Sequence, residues 1–294
     1  MSRKDLTLAL LVPIIWGFAF TLAKPATEHF PPLLMFSGVY AFVAVLYTLL
    51  FRGPMQTSFA SGLVLGSLAG SLQAILIFAA LARLDAAVSV IVLQTQVPIS
   101  VLVDRLLNGT PVRPLQLIGI FIAFLGVAVI AGLPAEPPPL GPVALLLAGA
   151  AVWATGQALV RRIGRDPAPR LFGLIGLHAA PQLLVGSLLL ETGQIDAILS
   201  ATALQWGSAL SLTLLGFGVG NVIWYSLMHR LRLAQMAPFL LLMPVVGVVI
   251  SAVVLGEEVT IVQLAGGIIV LLGLALVLGI GQRGIANPKP RETT

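Results

Sequence analysis

The sequence predicts an all-α membrane protein with ten transmembrane helices, built as two inverted five-helix repeats. Three observations lead there. Of the 294 residues, 58% are hydrophobic and only 9% charged, where a soluble domain carries roughly 25% charged residues. The apolar residues fall in blocks of about 20, the length that crosses the hydrocarbon core of a bilayer. The blocks also recur as two similar sets in one order. The first observation excludes a water-soluble globule. The second excludes a transmembrane β-barrel, whose lumen-facing positions need alternating polar residues. Ten spans use roughly 200 residues and leave no room for a separate soluble domain.

Each span is bounded by charge, Pro or Gly. The first covers 6–23, after Arg3 and Lys4, and runs past any plausible signal-peptide cleavage point, so it is a helix of the mature chain. The second, 32–51, starts at Pro32 and stops before Arg52; the third, 61–82, stops before Arg83. The fourth, 86–107, follows Asp85 and ends before Asn108-Gly109, and the fifth, 115–132, follows Pro114 and ends on Gly132. A Pro-rich connector at 133–139 cannot continue a helix. The sixth span, 140–160, ends before Arg161-Arg162, and the seventh, 171–190, lies between Arg170 and Glu191. The eighth, ninth and tenth cover 204–228, 233–255 and 260–279. The chain thus divides into a first repeat at 1–132, the connector, a second repeat at 140–281 and a tail at 282–294.

An even number of spans puts both termini on one side. Of the 16 Lys and Arg residues, only Lys24 and Arg83 then fall on the other side. By the positive-inside rule both termini are cytoplasmic. The pI near 10.2 records this orientation rather than a nucleic-acid partner. With no cysteine, a disulfide framework, a thiolate metal site and Cys-based catalysis are excluded.

The repeat shows in paired residues. Trp16-Gly17 in the first span matches Trp153-Ala154 in the sixth, and Pro98 in the fourth matches Pro244 in the ninth. Gln116-Leu117-Ile118-Gly119 in the fifth matches Gln263-Leu264-Ala265-Gly266 in the tenth, each with a further glycine at equal spacing. Because five is odd, the two repeats must cross the membrane in opposite senses. That is the plan of secondary transporters, which bind substrate near the midplane between the repeats and open alternately to either side.

Several run-on motifs resemble a known family. Leu242-Met243-Pro244, then Leu255-Gly256-Glu257-Glu258-Val259-Thr260, Gln263-Leu264-Ala265-Gly266-Gly267 and Leu272-Gly273 resemble the EamA-type repeat of the drug/metabolite transporter superfamily. Pro13-Ile14-Ile15-Trp16-Gly17-Phe18-Ala19-Phe20 resembles the start of the same repeat. The first repeat departs from the pattern, with Leu107-Asn108-Gly109 where the second has Leu255-Gly256-Glu257. Within the superfamily the chain is similar to YddG-type exporters of aromatic and other neutral amino acids. The resemblance implies a ten-helix carrier of a bacterial inner membrane that moves small metabolites outward.

No HExxH, GxSxG or phosphate-loop motif occurs, so no enzyme activity, cofactor or metal is expected and ATP does not drive the protein directly. The candidates for chemistry are polar or aromatic residues inside spans. Pro98 and Pro244 each remove an N–H and free the carbonyl four residues earlier, on Gln94 and Leu240. Such backbone is tolerated only where it is buried in protein or lines a wet cavity, or else it shapes the bundle as a kink. Gln94 shares a helical face with Pro98, whereas Gln96 lies about 200° round, so one glutamine alone should face a cavity. Asn221, Trp224 and Tyr225 share a face at i, i+3 and i+4, as do Trp153 and Gln157 at i, i+4. Gln73 adds an amide to the third span. Each is equally a candidate for interhelical hydrogen bonding.

Trp206 lies near a span end and reads as an interface anchor, and Trp224 can be read the same way. Trp16 and Trp153 are too deep for that. Across the repeat interface they can stack on a substrate, or pack as core. His178 is the titratable residue nearest a span centre. It is a possible proton carrier, or a neutral imidazole satisfied by a neighbour. Glycines 62, 66 and 70, and those of Gly216-Phe217-Gly218-Val219-Gly220, read as close-packing faces.

The expected function is export of small neutral metabolites, aromatic and other neutral amino acids above all, by a monomer. Gln94, Gln157, Asn221 and freed carbonyls would hold the polar ends, with Trp16, Trp153 and Tyr225 around the side chain. The alternatives are another metabolite or a lipophilic cation; outside transport, they are an intramembrane enzyme or a non-transporting receptor.

Overall fold

The computed structural model describes residues 1–132, 137–250, 252, 253 and 258–281. Residues 133–136 of the connector, the end of the ninth expected span, the Leu255-Gly256-Glu257 turn and the tail at 282–294 lie outside the described residues. Among the described residues, ten helices are long and apolar enough to cross a membrane. They are α1 (Arg3–Leu22), α2 (Pro32–Leu50), α3 (Phe59–Leu81), α4 (Val88–Asn108), α5 (Pro114–Ala131), α6 (Leu140–Ile163), α7 (Ala168–Leu190), α8 (Ala203–Met228), α9 (Leu233–Ile250) and α10 (Ile261–Leu278).

Local chemistry sets the ends. Ser2 caps α1 by accepting from the Asp5 N–H at 3.1 Å, and Thr202 and Gln205 form a reciprocal capping box on α8. Pro32 and Pro114 occupy first-turn positions, where no N–H is needed. Gly109, at φ 64°, ends α4 in the left-handed conformation. Helices α1, α6 and α7 extend about a turn beyond their apolar blocks, because arginines at a span end can keep their charge in water while the backbone stays helical.

The helices pair in a two-fold pattern. The long contacts are α2 against α7 and α5 against α10. The first helix of each repeat lies against the third and fourth helices of the other, α1 on α8 and α9, and α6 on α3 and α4. Lipid tails are as apolar as leucine, so helices associate by close packing and hydrogen bonds rather than by the hydrophobic effect. The α5–α10 contact illustrates this, since a Cβ on Gly126 would stand 2.6 Å from the Val270 nitrogen.

Helix irregularities fall at matching places too. Both third helices contain a π-helical stretch, Gly66–Ser71 in α3 and Leu212–Gly220 in α8. Helix α4 is interrupted at Thr95, three residues before Pro98. Helix α9 passes through a 3-10 stretch, Ala237–Leu242, just before Pro244. Each irregular turn leaves carbonyls outside the regular ladder, and these carbonyls organise the interior.

Candidate transport site

Three indoles meet between the repeats. Trp224 of α8 sits at the centre, with Trp16 of α1 at 5.6 Å and Trp153 of α6 at 6.0 Å between ring centroids. Trp16 and Trp153 are therefore joined through Trp224 rather than face to face. At 2% exposed, Trp224 is no interface anchor. Trp206 is 48% exposed and packs on Phe30 near a span end.

Amides and freed carbonyls tie the indoles down. Trp16 Nε1 donates to the Gly216 carbonyl at 3.0 Å, and Asn221 Nδ2 donates to the same oxygen at 3.3 Å. Trp224 Nε1 donates to Gln157 Oε1 at 2.9 Å. The Tyr225 ring packs on Phe172 at 5.4 Å. Tyr47, which the sequence reading did not single out, donates to the Gly218 carbonyl at 2.8 Å. The π-helical stretch of α8 thus supplies acceptors that a regular helix would keep for itself, as such turns often do at functional sites. Gly220 is needed for this approach, because a Cβ there would lie 2.5 Å from Trp16 Nε1.

The second π-helical stretch is satisfied differently. Gln182 of α7 accepts from Ser67 and Ser71 of α3, at 3.1 and 2.6 Å. Gln73 donates to the Gly70 carbonyl of its own helix at 3.1 Å, so its amide serves α3 rather than the indole cluster. His178 lies against the glycine face of α3, edge-on to Phe59 at 4.7 Å, with Nε2 unpartnered. Its neighbours Gly62, Gly66 and Phe59 all belong to α3, and none is in the indole cluster.

A cavity of about 700 Å³ opens beside α4, α5, α9 and α10. Its polar lining is Gln94, Gln96, Gln263 and Glu258, and Pro244 forms part of the wall. Both glutamines of α4 line it, against the expectation of one, because the interruption at Thr95 breaks the 100° per residue on which that expectation rested. Pro98 is half-buried just beyond the interruption. The Leu240 carbonyl freed by Pro244 accepts from Gln94 Nε2 at 3.2 Å, so a side chain of the first repeat satisfies the broken helix of the second. Helix α9 also reaches the indoles: a Cβ on Gly17, next to Trp16, would stand 2.7 Å from Val246 Cγ1. Glu258 was missed as a cavity residue, although it stood in the acidic turn that carries the family resemblance.

This cavity lies toward the face where α4 begins and α5 ends. The opposite face, where α1 begins and α10 ends, is here the terminal face, and it is tied shut. Asp104 is fully buried; it accepts from the Ala234 N–H at 3.1 Å and from Asn108 at 2.7 Å. Gln116 Nε2 donates to the Ala234 carbonyl at 2.8 Å. Arg230 pairs with Asp5 at 3.0 Å, joining the turn between α8 and α9 to α1. Asp166, between α6 and α7, accepts from the N–H groups of Gln56 and Thr57 and faces Arg170 at 3.6 Å. Burial raises its pKa, but the hydrogen bonds from Thr57 and Gln56 and the Arg170 charge outweigh that and hold the carboxyl below 3.8.

Comparison with known proteins agrees with this architecture. The EamA-like transporter family model matches residues 4–132 and again 140–279. The chain belongs to the EamA-like transporter family. Two relatives of this EamA-like transporter carry the name probable amino-acid metabolite efflux pump. The one from Salmonella typhimurium strain LT2 is 33% identical, over 98% of this chain and 99% of the relative. The one from Escherichia coli strain K12 is 31% identical, over 96% and 98%. A crystal structure 20% identical in sequence superposes with a TM-score of 0.79, covering 96% of this chain and 99% of that one, and so shares the fold.

Proposed function

We propose that the protein exports small neutral metabolites, aromatic and other large neutral amino acids foremost, across a bacterial inner membrane by alternating access. The arginine-rich terminal face is then cytoplasmic, by the positive-inside rule. The units 1–132 and 140–281 rock about the indole cluster as a monomer. One observation carries this reading: Trp16 and Trp153, from matching places in two inverted repeats, converge on Trp224 among the amides of Gln157 and Asn221. Indole faces take an aromatic or apolar side chain, and also attract an ammonium group. Amides and freed carbonyls suit its polar ends without needing a net charge on the cargo. The names of the two relatives support an amino-acid metabolite as substrate.

The site works by exchange of partners. In the described state the polar groups bind one another, so a substrate entering from either side must replace those bonds with its own. Trp153 makes no hydrogen bond among the described residues, which leaves its indole N–H for cargo. A lipophilic cation is the second reading, and Glu258 at the cavity is the observation that favours it. Flux of labelled amino acids into proteoliposomes tests the proposal. Trp153→Ala should lower uptake of tryptophan or phenylalanine by about tenfold, the equivalent of ~1.4 kcal/mol of lost contact. Absence of any neutral amino-acid flux, or flux indifferent to this change and to Trp16→Ala, would sink it.

A further inference from the structure

The terminal face holds a second cavity, of about 510 Å³, that the proposed transport of neutral cargo does not use. Five arginines line it: Arg3 at the start of α1, Arg113 before α5, Arg161 at the end of α6, and Arg230 and Arg232 between α8 and α9. They come from four separate segments and from both repeats, so the fold and not the local sequence gathers them. Orientation in the membrane requires basic residues somewhere on this face; it does not require them around one cavity. Arg230 is engaged by Asp5. Arg3, Arg161 and Arg232 form no ion pair among the described residues. Asp104, whose partner Ala234 lines the cavity, is spent on the Ala234 N–H and Asn108.

The remaining lining has a distinct chemistry. Leu6, Leu231, Val277 and Leu278 face the same space as the guanidinium groups. Guanidinium forks match the oxygens of a phosphate with paired, charge-assisted hydrogen bonds. Basic pockets between transmembrane helices on the cytoplasmic side are suited to anionic head groups, and apolar side chains next to them suit the glycerol and upper acyl carbons.

We propose that this cavity binds a phosphate group, held chiefly by Arg3, Arg161 and Arg232 and presented by an acidic phospholipid or by a soluble phosphate. Occupancy bridges the two repeats on the terminal face. The test uses the full chain purified in an uncharged detergent. Native mass spectrometry counts retained phosphatidylglycerol against phosphatidylcholine, and thermal melting is followed with and without inorganic phosphate. The double variant Arg161→Gln/Arg232→Gln leaves the Asp5–Arg230 pair intact, and Arg165→Gln, on the same face outside the cavity, is the control.

Selective retention of phosphatidylglycerol that falls by about tenfold or more in the double variant, and not in the control, supports a lipid source. A melting rise with inorganic phosphate that the double variant loses, without lipid selectivity, supports a soluble source. Equal retention of both lipids together with no phosphate effect on the wild-type chain overturns the proposal, and needs no variant to fold. Protection by a neutral amino acid alone overturns it too, since the cavity would then be a mouth of the transport path. Failure of neutral amino-acid flux leaves this binding test unaffected.

Discussion

The two ends of the α4–α9 pair occupy equivalent places in the repeat, yet one is closed and the other open. At the terminal end, Gln116 holds the Ala234 carbonyl and Asp104 holds the Ala234 N–H. At the far end the repeat puts Gln263 in place of Gln116, and Ile250, six residues after Pro244, in place of Asp104, six after Pro98. Gln263 lines the open cavity, and its side-chain oxygen accepts from Thr260 at the start of its own helix. Ile250 offers no acceptor. The same backbone plan thus carries a charged latch at one end only. Two alternating states need not be equally stable, and a latch on one face biases a carrier toward being closed there.

The largest expected effect comes from forcing the open end to close. Val88 stands ten residues before Pro98, as Ala234 stands ten before Pro244. If the repeats exchange conformations, Gln263 should approach Val88 in the other state as Gln116 approaches Ala234 in this one. The chain has no cysteine of its own, so Val88→Cys/Gln263→Cys can be cross-linked without background. Disulfide formation during transport, with flux abolished and restored by reductant, is the expected outcome. A pair that never cross-links under turnover would break the symmetry argument.

A smaller effect follows from removing the latch. Asp104→Ile makes the terminal end resemble the far end and leaves the Ala234 N–H without its charged acceptor, a loss of about 1.5–3 kcal/mol. That shifts the balance of the two states by about tenfold or more. A cysteine at Ala237, fully buried near the start of α9, should then react correspondingly faster with an impermeant maleimide added to the terminal face. An unchanged rate would place the closure elsewhere.

The comparison also shows what a sequence can and cannot express. Ten spans, their order and the repeat were legible because membrane crossing imposes length and apolarity on every helix, and Pro98 and Pro244 announced where α4 and α9 lose regularity. The meeting of Trp16, Trp153, Gln157 and Trp224 follows from the inverted repeat, which brings the first helix of each half against the third of the other. Other features needed coordinates. Nothing in the residues of Gly66–Ser71 or Leu212–Gly220 distinguishes a π-helical turn from a glycine packing face. Asp104 beside Arg105 reads as a local pair; its burial depends on the start of α9, 130 residues away.

The smallest expected effect concerns Asp166, a further carboxylate of the closed face. Asp166 ties the loop before α3 to the loop before α7, and its folded pKa lies below 3.8. A depressed carboxylate contributes stability that is present above its unfolded value and lost as pH falls through the folded one. Melting of the wild-type chain, followed by tryptophan fluorescence in detergent, should therefore be level above about pH 5. It should decline from just under pH 4 downward as the acceptor of the Gln56 and Thr57 N–H groups is protonated. In Asp166→Asn one neutral oxygen replaces the carboxylate, so melting should begin lower at neutral pH by about 2–4 °C. The two curves should then converge in acid. Parallel curves would mean that the acid sensitivity arises at another carboxylate.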